Sequence, residues 1–307
     1  MLSDHALVVE ITATAEALLE RHLATAKEWF PHELVPWGRG RDFVKDEVWD
    51  ESAAVLPAEV RSALFVNLLT EDNLPYYFST LDHTFGVDGV WGTWARRWTT
   101  EEMRHAMVMR DYLVVTRALD PVALERARMV QVGGGQVPVP AFAADGFVYV
   151  ALQELATRVS HHNTAKALLD ADKAGYEVMK RVAADENLHF LFYRDLVTAA
   201  LAVDPSAMVL AMERQVQDFE MPGTGIPDFA QHAKAIARAG IYDFLVHHDQ
   251  ILVPVIVRHW DVEHLEGLSP EADEARVRLL RRIDRIGRAG RRFAARRDER
   301  TEAAAAV

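Results

Sequence analysis

The sequence predicts an all-α protein, and three observations lead there. Apolar residues recur at helical spacing along most of the chain, as at Leu7, Ile11, Ala15, Leu18 and Leu19. Strand signals are nearly absent, because no Asn-Gly or Asp-Gly pair separates alternating apolar runs. The breaks between periodic stretches are short and rich in Gly or Pro: LVPWGRGRDF at 34–43, QVGGGQVPVP at 131–140 and EMPGTGIPDF at 220–229.

Taken in order, helices are expected over about 4–27, 57–85, 89–118, 145–170, 172–203, 205–218, 227–239, 241–259 and 270–297. Pro75 falls inside the second of these, one turn after Glu71. A proline there removes a backbone hydrogen bond, and it either kinks the helix or begins a new one. None of the breaks is long or Ser-rich enough to be an interdomain linker. Residues 1–300 are therefore expected to form one domain, with TEAAAAV at 301–307 as a disordered tail.

Composition narrows the function. Of 307 residues, 50% are hydrophobic and 26% charged, which is ordinary globular usage. No apolar run approaches the roughly 18 residues of a membrane-spanning helix. The first twenty residues resemble neither a secretory signal nor an Arg-rich transit peptide, so a cytoplasmic location is expected. With no cysteine, disulfides, thiolate metal sites, iron–sulfur ligation and a Cys nucleophile are all excluded. The net charge is −12, and residues 276–307 carry eleven Arg against four acids, which leaves −19 on residues 1–275. An acidic body argues against nucleic-acid binding. The basic C-terminal segment suits either an acidic partner or a solvated helix face.

The chemistry lies in a pattern of carboxylates and histidines. Glu-x-x-His occurs twice, at Glu102/His105 and at Glu186/His189. With 23 Glu and 13 His, about one such pair is expected by chance, so context decides. Residues i and i+3 share one helix face, so a carboxylate and an imidazole can reach a common point. Glu71 and Glu154 each sit alone in an apolar helical run, where an unpaired carboxylate is costly. Glu71 precedes Glu102 by 31 residues and Glu154 precedes Glu186 by 32. The chain thus holds two helix pairs, each with a Glu followed by Glu-x-x-His. That is the recipe of a ferritin-like four-helix bundle: one Glu from each of two helices and Glu-x-x-His from each of two more. Any one of the six residues alone reads as an ordinary polar helix position; the arrangement reads as a metal site. Glu101 is expected to face solvent. The adjacent pairs His161/His162 and His247/His248 cannot face one point and are expected at the surface or behind the ligands.

The segments TEDNLPYY, WTTEEMRHAMVMRDYL, LQELATRVSHHNTAK and ADENLHFLFYRDL resemble the four metal-helix motifs of soluble acyl-[acyl-carrier-protein] desaturases, closest to the actinobacterial branch. The likeness extends from VPWGRGRDF near residue 35 to VRHWDVEHLEGLSPEA near residue 272. It implies an oxygen-dependent enzyme that places a cis double bond in a fatty acyl chain on acyl carrier protein. It also implies a ferritin-like core with flanking helices, a homodimer, two irons per chain and a reductant of ferredoxin type. The ligands it implies are Glu71, Glu102, His105, Glu154, Glu186 and His189, with Glu102 and Glu186 approaching both irons. Thr157 matches a Thr near the oxygen-binding face, and Asp185 an acid bonded to a ligating His, here His105. Trp37 matches a Trp on the electron route through that acid. Thr80, Thr84, Gly146 and Phe147 match positions along the acyl channel. Met103 stands where the family often has Asn, a position that does not ligate. The alternatives are another ferritin-like di-iron or di-manganese oxidase or oxygenase, or a catalytically silent helical protein that binds acyl carrier protein.

Overall fold

The computed structural model describes residues 2–135, 137–219, 223 and 225–305. Local sequence sets the helix ends. Ser3 caps α1 (Asp4–Glu10) by accepting from the Ala6 amide, and after Ile11 the chain continues as α2 (Thr12–Thr25). A single turn, α3 (Pro31–Leu34), lies at the edge of the first Gly- and Pro-rich break. α4 (Ala58–Glu71) stops at Asp72, and α5 (Leu74–Phe85) restarts with Pro75 in its first turn, where a missing N–H leaves no bond broken. Pro75 therefore begins a helix rather than kinking one, and Glu71 is the last residue before the break.

The long helices follow: α6 (Gly89–Thr116), α7 (Pro121–Gly134), α8 (Ala143–Leu168) and α9 (Lys173–Val203). Helix α7 occupies a stretch where the periodicity predicts none. Its signals are local: Asp120 accepts from the Val122 amide, Pro121 sits in the first turn, and Gly135 ends the helix at φ +61°. α10 (Pro205–Gln217) and α11 (Phe229–Arg238) flank the partly undescribed EMPGTGIPDF break, of which Glu220, Met221, Pro222 and Thr224 lie outside the described residues. α12 (Phe244–His247) runs on as a π-helix over His248–His259 that accommodates Pro254. α13 (Pro270–Ala305) continues through most of the expected tail, whose last two positions, 306–307, lie outside the described residues. No strand occurs among the described residues. No described helix is long and apolar enough to cross a membrane.

Four helices make the frame. α4 packs on α6 and α8, and α9 packs on the same two, closing a ring in which α8 and α9 share the most extensive contact. The apolar core divides into two parts along this ring. One part includes Trp94 and Trp98 of α6 with Phe192 and Tyr193 of α9; the other includes Met109 and Tyr112 of α6 with Val178 and Met179 of α9. Between them on α6 lie Glu102 and His105, and on α9 Glu186 and His189, all buried. A polar layer thus interrupts an otherwise apolar bundle. With Glu71 and Glu154 also buried, four carboxylates are taken out of water, which costs several kcal/mol each unless something compensates the charge.

Candidate metal centre

The six residues picked out by the repeat meet in that layer and fall into two groups. Glu71, Glu102, His105 and Glu186 form one; Glu102, Glu154, Glu186 and His189 form the other; within each, the donor atoms lie within 4.8 Å of one another. Glu102 and Glu186 belong to both. Each histidine turns Nδ1 inward. His105 Nδ1 lies 3.0 Å from Glu102 Oε2 and 3.5 Å from Glu186 Oε1. His189 Nδ1 lies 2.7 Å from Glu102 Oε1 and 3.5 Å from Glu154 Oε2. The backbone places Glu and His on one helix face, and the ring of helices brings the two faces together.

Three inward atoms, Glu102 Oε1, Glu154 Oε2 and His189 Nδ1, are buried with no hydrogen-bond partner. Buried polar atoms are nearly always satisfied, so a cluster of orphans aimed at one another is a place suited to a cation. The donor set of oxygen and imidazole nitrogen, without thiolate, suits non-haem iron or manganese. Two divalent ions would also balance the four carboxylates. The residues present fit the pair of ions that the repeat predicts.

Proton preferences agree. Burial, and then the charge of Glu186, push Glu154 well above the usual carboxylate range, and the same pair of causes raises Glu102. For Glu186, burial is outweighed by bonds from His105 and His161, which hold its carboxyl well below that range. Burial is the largest influence on both His105 and His189 and lowers them, but the charge of Glu102 and the bonds to the surrounding carboxylates together outweigh it and raise both well above their usual value. Neighbouring acids pushed in opposite directions cannot all be ionised without cations in place.

Around this layer the sequence reading needs corrections. Glu101 does not face solvent. It is 3% exposed, and its Oε2 takes hydrogen bonds from His189 Nε2 at 3.0 Å and His22 Nε2 at 2.9 Å. Trp37 is half exposed and donates to the His32 carbonyl at 2.9 Å, away from Asp185. The indole at Asp185 is instead that of Trp29, whose Nε1 donates to Oδ2 at 2.7 Å. Asp185 Oδ2 also lies 3.6 Å from His105 Nε2, so the acid stands behind that histidine. His161 is buried and donates from Nε2 to Glu71 Oε1 at 3.1 Å, while His162 is exposed. His247 and His248 are both buried, away from these two groups.

Thr157 Oγ1 lies 3.0 Å from Glu186 Oε2, inside the layer. Trp98 Nε1 donates to Glu154 Oε1 at 3.0 Å, and the same indole borders a narrow apolar cavity of about 30 Å³. Thr80, Thr84 and Gly146 line that cavity with Tyr77 and Gln153, and Phe85 lines its far side. Phe147 does not line it. Its ring is fully buried behind Phe85, stacked at 4.5 Å with an interplanar angle of 5°. Along α8 the cavity runs from Gln153 beside Glu154 back to Gly146, eight residues or about 12 Å from Glu154.

Two of the missed residues carried a signal. Each Glu-x-x-His is preceded by an acid, so the repeat that yields Asp185 yields Glu101 as well. His161 stands seven positions after Glu154, on the same helix face. His22 and Trp29 follow no spacing rule, because their placement depends on how α2 and the segment after it lie across α6 and α9.

A ring of four helices around a buried layer of carboxylates and paired histidines defines a ferritin-like bundle. The fatty acid desaturase family (type 2) matches residues 4–307. DesA1 of Mycobacterium tuberculosis, named an acyl-[acyl-carrier-protein] desaturase, is 36% identical, covering 96% of this chain and 94% of its own. The chloroplastic stearoyl-[acyl-carrier-protein] 9-desaturase 6 of Arabidopsis thaliana is 32% identical over 89% of this chain and 72% of its own. The X-ray structure of DesA2 from M. tuberculosis H37Rv, also named an acyl-ACP desaturase, superposes with a TM-score of 0.69 at 29% identity. It covers 88% of this chain and 99% of that one. The chain belongs to the fatty acid desaturase family.

Proposed function

We propose that this protein introduces a cis double bond into a fatty acyl chain carried on acyl carrier protein, using two iron ions and O2. The observation that carries the reading is the buried layer of four carboxylates and two inward-facing imidazoles beside a narrow apolar cavity. The relatives' names supply the carrier-bound acyl chain. No side chain can take hydrogen from an unactivated methylene, so bound iron would supply the oxygen chemistry. In sum, two hydrogen atoms leave the acyl chain, an external donor of ferredoxin type gives two electrons, and two protons enter. O2 leaves as two waters.

The chain's own residues do the rest. Glu71, Glu102, His105 and Glu186 would hold one ion, and Glu102, Glu154, Glu186 and His189 the other. Trp98 fixes one oxygen of Glu154, which leaves the other oxygen facing inward. Thr157 presents a hydroxyl inside the layer, where it can orient a small oxygen ligand. Trp29 and Asp185 connect His105 towards the surface and form the entry side for electrons. There Arg104 and Arg181 flank the indole, at 4.8 and 5.7 Å from its centroid. Tyr77, Thr80, Thr84 and Gly146 guide the acyl chain past Glu154 and exclude water from it.

The carrier is an acidic protein, and α13 offers the complement. Arg282 and Arg285 border a second, larger apolar cavity of about 650 Å³ among α10, α11, α12 and α13. Phe219 on its wall reaches Tyr149 at 6.0 Å, and Tyr149 lines the cavity beside the metal layer. An acyl carrier docked against these arginines would therefore stand on the face from which the inner cavity is reached.

The test is reconstitution of metal-free protein with Fe(II) under anaerobic conditions, then turnover of a panel of acyl carriers with a ferredoxin reducing system. Gas chromatography–mass spectrometry should show mono-unsaturated products, and metal analysis about two irons per chain. Protein that takes up two irons and consumes O2 but returns every acyl chain saturated would overturn the desaturase reading.

A further inference from the structure

The two Glu-x-x-His helices brace each other crosswise. Glu101 on α6 reaches His189 on α9, and Asp185 on α9 stands behind His105 on α6. The two arms are not alike. Asp185 lies 3.6 Å from its histidine and is already engaged by the Trp29 indole and by two guanidiniums, Arg104 at 3.3 Å and Arg181. Glu101 lies 3.0 Å from its histidine, with Arg97 its one close guanidinium and Arg104 at 4.0 Å. Its other partner is a second imidazole, His22, 4% exposed, whose ring stacks on His189 at 5.9 Å and meets Trp94 edge-on at 5.0 Å.

A carboxylate oxygen only accepts, so both imidazoles present N–H to Glu101 Oε2 through Nε2. With a cation in the layer, His189 then carries its lone pair on Nδ1, aimed at Glu102 and Glu154. A short bond to an anion also raises the donor strength of the opposite nitrogen. Asp185, longer from its histidine and more heavily neutralised, does this less for His105.

We propose that Glu101 and His22 are positioning residues for His189, and that they make the ion held with Glu154 the tighter of the two. The inference rests on the two-ion reading above. Arg97 against Glu101 argues that His22, Glu101 and His189 form a hydrogen-bonded support and not a third metal site.

Cobalt(II) titration of metal-free protein, followed by visible absorbance, tests this without turnover. Wild type should bind two ions in two resolved steps. Glu101→Gln should weaken the tighter step by about 10–100-fold and leave the other unchanged. Asp185→Asn should weaken the other step. In a His189→Ala background Glu101→Gln should add nothing, whereas in a His105→Ala background its effect should persist in full. His22→Leu should lower the same step as Glu101→Gln, and His22→Gln, which keeps a side-chain N–H donor, should restore part of it.

The proposal is overturned if Glu101→Gln leaves both steps unchanged or lowers both equally. An effect that adds to that of His189→Ala overturns it too, as does a third ion bound by wild type. Wild type that takes up no cobalt overturns the two-ion reading along with it; two wild-type steps indifferent to Glu101→Gln overturn the positioning role alone.

Discussion

Phe85 closes the cavity that starts beside Glu154, and Phe85→Ala should lengthen the acyl chain the protein prefers. The ring is 8% exposed, stacks on Phe147, and leans on Trp91 at 5.9 Å. A Cβ added to Gly146 would stand 3.0 Å from that ring, so ring and glycine together set the width at this end. Removing a phenyl from a closed core costs about 3–5 kcal/mol, and the free protein should lose stability in that range. In the complex the void becomes extra cavity, continuous with the space past Thr80 and Thr84.

Each additional methylene buried there contributes about 0.8 kcal/mol. Two methylenes then shift kcat/KM by about 15-fold in favour of the longer chain. The assay is competition between carrier-bound acyl chains differing by two carbons, with products resolved by gas chromatography–mass spectrometry. The double bond should keep its distance from the carrier end, because the metal layer is untouched. An unchanged preference in a folded variant, or a shift to shorter chains, would refute the assignment of Phe85 as the end wall. Gly146→Val should act in the opposite sense, since its side chain must displace the Phe85 ring or the Thr84 methyl group.

Three further outcomes are expected. Glu102 belongs to both metal groups and Glu154 to one, so Glu102→Ala should disturb both ions while Glu154→Ala leaves about one per chain; plasma mass spectrometry of desalted protein would show a wrong assignment as two ions retained by Glu154→Ala. Reversing Arg282 and Arg285 to Glu should raise KM for acyl carrier about tenfold, roughly 0.7 kcal/mol per charge, with kcat unchanged, and KM indifferent to the reversal would remove α13 as the docking face. Burial first, and His248 second, hold His247 down at about 4. An unfolded histidine titrates near 6.5, so the unfolded state takes up the proton first and stability falls as pH drops from about 6.5 to about 4, by about 3 kcal/mol. His247→Asn should flatten that part of the pH dependence in urea denaturation relative to wild type, and an identical slope would count against it.

Much of this was legible in the sequence because helical periodicity and buried acids leave strong local traces. The long helices α6, α8 and α9 lie within a few residues of where their apolar spacing puts them. The six inward residues could be read because each pair repeats at i, i+3, and because Glu71 and Glu154 stand out in apolar runs. What escaped depends on contacts between distant segments. Glu101 looks like a solvent-facing neighbour of a ligand until α2 brings His22 against it. Trp37 and Trp29 are eight residues apart in a stretch without regular spacing, and only the path of the chain puts one of them on Asp185. α7 has cap residues but a weak apolar face, so periodicity alone passed over it.

The break at Asp72 and Asn73 has a consequence for how such a protein can diversify. α4 ends with the carboxylate it contributes to the metal layer, and α5 begins again to wall the cavity. One continuous helix would have tied the two tasks to a single rigid rod, so that any change in the wall would tilt Glu71. With a joint between them, α5 is free to accumulate substitutions that alter what fits the cavity, while the layer of carboxylates and histidines keeps its geometry. The joint uncouples what the protein accepts from how it reacts.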